Sequence, residues 1–281
     1  MKSITKFLFL ALLLLAPSSL SAKTEKVIKI LAIGNSFSED AVEQNLYDLA
    51  LADGKKVIIG NMYIGGCSLE KHLKNAKENI PAYRYRKIGL DGVKVQTTRY
   101  TLEKALADED WDYISFQERS GWSGKYDSWE KSLPELLAYV KSHAPKKTKM
   151  VIHQTWAYDQ TSDHKAFSKY KNDEWLMYTS IMSAVRDISQ LTGIKIIIPS
   201  GTAIQNARTT VLKDRITRDG FHLHLVYGRY IAACAWYEKV FKRSVVGNDY
   251  APAGMTEDEK LLAQKSAHAA VKKPYEVTEI K

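Results

Sequence analysis

Short apolar runs alternate with longer amphipathic segments along most of this chain, and this alternation strongly limits the folds it can adopt. Residues 27–33, for example, have the length and composition of a buried strand, and helical spacing follows them. Parallel strands need long crossover connections, which are usually helices. We therefore expect one doubly wound α/β domain, in which a mostly parallel five-stranded sheet carries helices on both faces.

The pattern also predicts the individual elements. The expected strands are 27–33, 57–63, 111–116, 149–153 and 194–198. The expected helices are 39–52, 68–79, 101–107, 127–143, 173–191 and 225–241, followed by a polar tail. Segment 83–98, around Asp91-Gly92, is β-prone and predicts a small hairpin insertion. The whole domain is expected to span residues 23–281.

The amino terminus is typical of a signal peptide. Lys2 and Lys6 precede an unbroken apolar run, residues 7–16, and small residues follow up to Ala22. The run is shorter than the roughly 20 residues of a membrane span. We expect cleavage of residues 1–22 and a periplasmic or secreted protein without stable membrane insertion; an uncleaved anchor is the alternative.

Charge and cysteine content exclude some functions. The formal net charge is +9, but basic residues are scattered among acids, so no nucleic-acid footprint is expected. An anionic polysaccharide or envelope surface is a partner that charge alone does not establish. Cys67 and Cys234 are the two cysteines; a bridge is permitted outside the cytoplasm, but a buried free thiol is the expectation for Cys234.

A serine follows the first strand, in Gly34-Asn35-Ser36-Phe37-Ser38. At a strand-to-helix turn, a serine hydroxyl is exposed near the positive end of the helix, which suits a nucleophile whose reaction forms an oxyanion. A simple helix cap is the alternative. The Gly-rich pattern of a phosphate-binding turn is missing.

A carboxylate and an imidazole lie three positions apart near the other end of the chain. Asp219 and His222 belong to Arg218-Asp219-Gly220-Phe221-His222-Leu223-His224. A hydroxyl nucleophile needs a base, and that base needs a carboxylate to fix its tautomer. A loop with a surface salt bridge is the alternative. His224, Asp214 and Arg218 are further candidates to replace or support this pair.

Together the two segments resemble the SGNH (GDSL-like) hydrolase superfamily, which has a flavodoxin-like three-layer sandwich. The likeness covers nearly all of the mature chain and is greatest to an uncharacterised SGNH-like family of exported bacterial proteins. Further segments resembling that family are 64–69, 117–120, 153–158 and 199–204. The resemblance implies Ser36 as nucleophile, His222 as general base and Asp219 as its orienting carboxylate.

The resemblance also implies an oxyanion hole. Its donors would be the backbone N–H groups of Ser36 and Gly66, with Gly65 as the second choice for the latter. Two departures matter: Gly-Asn-Ser replaces the usual Gly-Asp-Ser, and the Gly-x-Asn-Asp block is absent. We expect the Gln117 amide to take the place of the missing asparagine, with a structural hydrogen bond as the alternative.

Weaker candidates surround these residues. His153 and Gln154 end the fourth strand, where substrate is expected, with an ordinary buried histidine as the alternative for His153. Trp122 and Trp156 are candidate sugar contacts. Trp129 and Tyr158 are similar aromatic candidates, although aromatics are also common core residues. A zinc site made by His153, His222 and His224 is conceivable, but no ligand spacing supports it.

The expected function is an exported serine esterase that removes acyl groups, acetyl above all, from a carbohydrate through an acyl-enzyme. The reaction requires no metal and no cofactor, and its partner is a glycan or small-molecule ester. The alternatives are a catalytically weak or inactive glycan-binding protein on the same scaffold, and an esterase or lipase that acts on non-carbohydrate esters.

Overall fold

The computed structural model describes residues 26–281. The predicted signal peptide, residues 1–22, lies outside the described residues, and its cleavage stays a prediction. Within residues 26–281, no helix is both long and apolar enough to cross a bilayer.

Seven strands and ten α-helices follow one another in the part of the chain that the structure describes. The strands are β1 (Ile28–Gly34), β2 (Val57–Tyr63), β3 (Tyr83–Ile88), β4 (Lys94–Tyr100), β5 (Tyr113–Phe116), β6 (Lys149–His153) and β7 (Ile196–Ile198). The helices are α1 (Ser36–Val42), α2 (Asn45–Ala52), α3 (Leu69–Lys77), α4 (Leu102–Asp108), α5 (Tyr126–Glu130), α6 (Leu133–His143), α7 (Glu174–Thr192), α8 (Ser200–Ala207), α9 (Tyr227–Phe241) and α10 (Glu257–Lys272).

The strands form one sheet in the order β4-β3-β2-β1-β5-β6-β7. The five predicted strands are parallel to one another, which confirms the α/β class. The count of five is wrong, because the predicted hairpin forms β3 and β4 and extends the sheet antiparallel at the edge of β2. The sheet therefore has seven strands.

Strand β1 lies at the centre of the sheet, and its last five residues are fully buried. A strand buried on both faces requires covering layers on both sides. Two groups of helices supply them: α1, α2, α8, α9 and α10 contact one another, and α3 to α7 form a second connected group. Strand β1 pairs with β2 on one side and with β5 on the other, so the strand order changes direction at β1. The carboxyl end of β1 is thus a topological switch point, where ligands bind in such sheets.

Some predicted helices differ from those in the structure. Segment 39–52 is divided into α1 and α2, and Glu43 occupies the break because its buried carboxylate accepts a hydrogen bond from Asn61. Segment 127–143 is divided into α5 and α6, with Pro134 in the first turn of α6. Proline is favoured there because its missing N–H has no helical partner.

The predicted polar tail is wrong, since it contains α10. A capping box between Thr256 and Glu259 starts this helix, and Ala263, Ala267 and Ala270 bury its inner face. Helix α8 was also not predicted. The two cysteines are free and buried, as expected for Cys234.

Candidate active site

Ser36 lies at the switch point, at the first position of α1 directly after β1. Asn35 caps this helix, because its side-chain oxygen accepts the backbone N–H of Phe37 at 2.9 Å. Gly34 is required by close packing, since a Cβ there would lie 2.4 Å from the Ser38 hydroxyl oxygen. The turn therefore holds the Ser36 hydroxyl at the surface, half-buried, above the end of the sheet.

A continuous hydrogen-bond chain connects Ser36, His222 and Asp219. The Ser36 Oγ lies 2.9 Å from His222 Nε2, and His222 Nδ1 lies 2.7 Å from Asp219 Oδ2. The second carboxylate oxygen of Asp219 accepts the backbone N–H of His222 at 2.7 Å and that of Phe221 at 3.2 Å. The carboxylate thus fixes both the ring and the backbone of the histidine, so that Nδ1 carries the proton and Nε2 faces the serine.

Electrostatics keeps Asp219 ionised beside this histidine. Partial burial opposes its ionisation, but the hydrogen bonds from His222 and the two backbone N–H groups outweigh burial and lower the pKa of Asp219 below its ordinary value. An ionised carboxylate stabilises the imidazolium that forms when a histidine accepts a proton. The three side chains have the geometry that a nucleophile, a base and an orienting group require.

A second carboxylate, Asp40, fixes the histidine loop to the serine helix. Asp40 is fully buried one helical turn after Ser36, and it forms ion pairs with Arg218 at 3.2 Å and with Arg229 at 2.7 Å. It also accepts the backbone N–H of Leu223 at 2.8 Å. Arg218, a candidate to support the catalytic pair, therefore acts through Asp40 and not on Ser36.

Two backbone N–H groups, one on the serine turn and one on the loop held against that turn, are free. Neither Ser36 N–H nor Gly66 N–H donates to an acceptor within residues 26–281. The loop of Gly66 is held against the serine turn, because the Asn35 amide donates to the carbonyl of Cys67 at 3.0 Å. Gly66 itself is exposed and has a φ of +61°, a left-handed conformation that favours glycine.

Gln117 does not occupy the position expected of an oxyanion donor. Its side chain is buried below the serine turn, where its amide nitrogen donates to the Asn35 side-chain oxygen at 2.9 Å. Its oxygen accepts from His153 Nδ1 at 2.7 Å, and His153 Nε2 lies 3.0 Å from the Ser200 hydroxyl. The predicted oxyanion role of Gln117 is therefore wrong, because its buried amide faces Asn35. Gln117 instead makes the structural hydrogen bond that was the alternative.

His153 also does not reach the surface. It is fully buried, and burial lowers its pKa to about 3, so the ring is neutral. Gln154 is equally buried, and its amide links Thr202 to the carbonyl of Pro274. The predicted substrate contacts of His153 and Gln154 are wrong, because the end of β6 is covered by α8 and the carboxyl-terminal segment.

Trp156 belongs to the support of the site and not to its surface. It is fully buried, stacks on Phe37 at 4.2 Å between ring centroids, and donates its indole N–H to the carbonyl of Phe221 at 2.8 Å. Its predicted substrate contact is wrong, as are those of Trp129 and Tyr158, which are also fully buried. Trp156 instead connects the serine helix with the histidine loop.

His224 and Arg218, two alternatives to the catalytic pair, have hydrogen-bond partners other than Ser36. His224 Nδ1 accepts the backbone N–H of Val226, and burial together with Arg215 and Arg218 lowers its pKa. The side chain of Asp214 lies outside the described residues. Among the residues that the structure describes, no group of three histidine, cysteine or acidic side chains could hold a metal ion. His153 is separated from the other two histidines by its hydrogen bonds with Gln117 and Ser200.

Trp122 is the predicted aromatic contact that stays accessible. It is half-buried and lines a cleft of about 770 Å³ together with Ser68 and Arg119. Ser68 follows Cys67 in the loop held to Asn35, and Arg119 follows the end of β5. The cleft therefore borders loops that flank Ser36.

Sequence reasoning missed Asp40 and the hydrogen-bond chain of Asn35, Gln117, His153 and Ser200. A signal for Asp40 exists, because an acid one turn after Ser36 falls on the inner face of α1. The residues of the buried chain carry no such signal, since polar side chains at strand ends point either to solvent or into the protein.

Comparison with known proteins gives the following similarities. Residues 29–270 match the model of a family described as a domain of unknown function (DUF4886). The chain is 54% identical to a DUF4886 family protein from Bacteroides uniformis whose crystal structure is known; 90% of this chain and 98% of that chain align, with a TM-score of 0.89. No curated protein matches the chain.

Two more distant structures share the fold. A putative SGNH hydrolase from Slackia heliotrinireducens is 20% identical over 76% of this chain and 99% of its own, with a TM-score of 0.53. An acetylxylan esterase from Geobacillus stearothermophilus is 14% identical over 80% of this chain and 97% of its own, with a TM-score of 0.50. The architecture predicted by the resemblance is thus found in both.

Proposed function

The chain belongs to the DUF4886 family, and we propose that it is a serine esterase that removes acyl groups, acetyl above all, from a carbohydrate. The observation that carries the proposal is the hydrogen-bond chain from Ser36 through His222 to Asp219 at the switch point of the sheet. Serine, histidine and aspartate in this arrangement are the parts of an acyl-transfer site.

The first half of the reaction forms an acyl-enzyme. Ser36 Oγ attacks the ester carbonyl carbon while His222 Nε2 accepts its proton. The negative charge that develops on the carbonyl oxygen is held by the free N–H groups of Ser36 and Gly66, each worth about 3 kcal/mol in the transition state. When the intermediate collapses, the alcohol oxygen of the sugar leaves with the proton from His222.

The second half repeats these steps with water. His222 Nε2 accepts a proton from the water molecule that attacks the acyl carbonyl, and the proton then returns to Ser36 as the carboxylic acid leaves. Asp219 stabilises the imidazolium in both halves. Neither half requires a metal or an organic cofactor.

The choice of an acetylated carbohydrate has separate support. The predicted signal peptide would bring the protein to where glycans are accessible, in the periplasm or outside the cell. The cleft with Trp122, which borders a loop next to the serine turn, offers space for a unit larger than an acetyl group. The Geobacillus protein with this fold is an acetylxylan esterase. Non-carbohydrate esters are the other possible substrates of the same machinery.

A glycan-binding protein without activity is the second candidate. The observation that favours it is the burial of Gln117, which leaves two backbone donors and no side-chain amide for the oxyanion. A binding protein does not require the 2.9 Å contact between Ser36 and His222, whereas an esterase does. We therefore prefer the enzyme.

A fluorophosphonate probe distinguishes the two candidates. The purified protein should be labelled, the Ser36→Ala variant should not, and both should melt at similar temperatures. Ser38→Ala is the matched control, because Ser38 lies two residues further on and donates to the Asn35 carbonyl instead of contacting His222. Acetate release from acetylated xylo-oligosaccharides should fall at least about 1000-fold in Ser36→Ala. A folded wild-type protein that neither reacts nor releases acetate would overturn the esterase and favour the binding protein.

A further inference from the structure

The cleft lined by Trp122 borders the loop that holds Asn35, and its chemistry is not used by the proposed reaction. Its walls include Ser68, Glu118, Arg119, Trp122, Lys125 and Lys169. We propose that this cleft binds a carboxylate-bearing sugar unit, so that the substrate is an acidic glycan. The inference rests on the proposed function for its place in the reaction, but the binding itself can be measured without catalysis.

Four cations line the cleft, namely Arg119, Lys125, Lys131 and Lys169. None of them forms an ion pair with a carboxylate in the described part of the chain. Elsewhere the arrangement differs: Lys29 and Lys87, for example, both bind Glu109. Unpaired cations around a concave surface concentrate positive potential and attract anionic ligands.

The acids of the lining do not neutralise these cations. Glu118 is 1% exposed, and its carboxylate accepts the backbone N–H groups of Leu69 and Arg119. Burial raises the pKa of Glu118 to about 7, so its charge is reduced at neutral pH. Glu70 on α3 and Asp127 on α5 also line the cleft, and neither of them forms an ion pair with one of the four cations.

Trp122 holds two of the cations in place. The Arg119 guanidinium carbon lies 5.0 Å from the centroid of the indole ring, and the Lys169 ammonium lies 4.4 Å from it. Such cation–π contacts are attractive and reduce the freedom of long side chains. A guanidinium and an ammonium held by one aromatic ring present two ordered cationic groups to a carboxylate-bearing ligand.

The cleft is connected to both sides of the catalytic site. On one side, Ser68 is adjacent to Cys67, whose carbonyl accepts from the Asn35 amide next to Ser36. On the other, the short helical segment Lys165–Tyr170 carries Lys169. It begins beside His164, whose ring packs against Phe221 at 4.6 Å. A glycan with its acyl group at Ser36 can therefore extend a neighbouring unit between these walls.

Binding of tri-galacturonic acid tests the inference. This probe has three carboxylates and no acyl ester, and its fully methyl-esterified form has the same rings without charge. Titration calorimetry on the full chain should show that the acid binds at least about tenfold more tightly, because charge-assisted hydrogen bonds form with the acid alone. Raising the salt concentration should weaken binding of the acid and leave binding of the neutral form unchanged.

Charge-removing variants locate the site. Arg119→Gln and Lys169→Gln should each lower the affinity for the acid about tenfold and keep the melting temperature of the wild type. Lys195→Gln is the matched control, since Lys195 is exposed and precedes β7 at the opposite edge of the sheet. It should retain the preference for the acid.

The outcomes separate this inference from the proposed function. Equal affinity for the acidic and neutral trisaccharides, no binding of either, or a preference that survives both Arg119→Gln and Lys169→Gln would overturn the acidic subsite. If the wild-type protein binds the acid but hydrolyses no ester, the esterase proposal is overturned and the acidic subsite is retained.

Discussion

Asp40 and Leu223 are joined by a hydrogen bond of 2.8 Å, in which the backbone N–H next to His222 donates to a carboxylate one turn after Ser36. The bond connects the helix of the nucleophile to the loop of the base across more than half of the chain. Arg218 and Arg229 surround the same buried carboxylate. The contact between Ser36 and His222 therefore depends on an acid that touches neither side chain.

Asp40→Asn should lower both stability and activity. Asparagine keeps an acceptor for the Leu223 N–H but removes the charge that Arg218 and Arg229 share. Leaving these arginines without a counter-charge should cost about 3 kcal/mol, measured by urea unfolding. The loosened loop should reduce kcat for p-nitrophenyl acetate by about 10–100-fold.

Glu39→Gln is the control for Asp40, because Glu39 is its neighbour in α1 and pairs with Arg86 near the surface. This substitution should lower the free energy of unfolding by less than about 1 kcal/mol. Wild-type stability in Asp40→Asn would mean that the two arginines do not need this carboxylate.

Asp219→Asn should reduce kcat by about 100- to 10,000-fold with little change in KM. The amide no longer stabilises an imidazolium, and its NH₂ group facing Nδ1 favours the tautomer with the proton on the wrong nitrogen. Steady-state kinetics on p-nitrophenyl acetate measures the effect. Asp163→Asn, a nearby exposed acid, should change kcat by less than about twofold; a similar small change in Asp219→Asn would remove Asp219 from the reaction.

The parallel part of the fold could be predicted from the sequence because its signals are local. Apolar runs mark the strands, and β6 has the predicted bounds. The family resemblance is confirmed by the match over residues 29–270. Helix α10 could not be predicted in the same way, because its buried face consists of small residues such as Ala263 and Ala267, whose apolar signal is weak.

The candidate site was predicted unevenly for a similar reason. Ser36, Asp219 and His222 carry motif signals, and the structure brings their side chains together. The direction of a polar side chain at a strand end depends on what covers that end, which is a tertiary property. For this reason the sequence favours site roles for His153 and Gln117, whereas the structure has the alternatives, a buried histidine and a structural hydrogen bond.

Gly66→Ala should affect the reaction more than Gly65→Ala does. Both glycines are exposed, but Gly66 alone of the two has positive φ, so an alanine there strains the backbone by about 1–2 kcal/mol. Relief of that strain would turn the N–H away from the oxyanion and lower kcat by at least about tenfold.

Gly65→Ala is the matched control, since its Cβ would meet nothing closer than the Tyr63 hydroxyl at 3.6 Å. Its kcat should stay within about twofold of the wild type. The opposite ranking, with Gly65→Ala more damaging, would assign the oxyanion N–H to Gly65.

Buried His153 should make the protein less stable in mild acid. Its pKa is about 3 in the folded state against 6.5 in the unfolded chain, so the unfolded state binds more protons between these values. Stability from this residue is complete above pH 6.5 and is lost as the pH falls, by about 2 kcal/mol at pH 5. His72 adds a change of the same sign, because burial also lowers its pKa to about 3, whereas Glu118 opposes both.

Variants can isolate the contribution of His153 to the pH dependence of the free energy of unfolding. Urea unfolding at pH 5 and pH 8 should show a smaller difference in His153→Gln than in the wild type, by about 2 kcal/mol, although the variant is less stable at both. His143→Gln removes an exposed histidine at the end of α6 and should keep the wild-type difference. An unchanged difference in His153→Gln would show that His153 is protonated in the folded protein, and the Gln117 and Ser200 contacts would then belong to a charged ring.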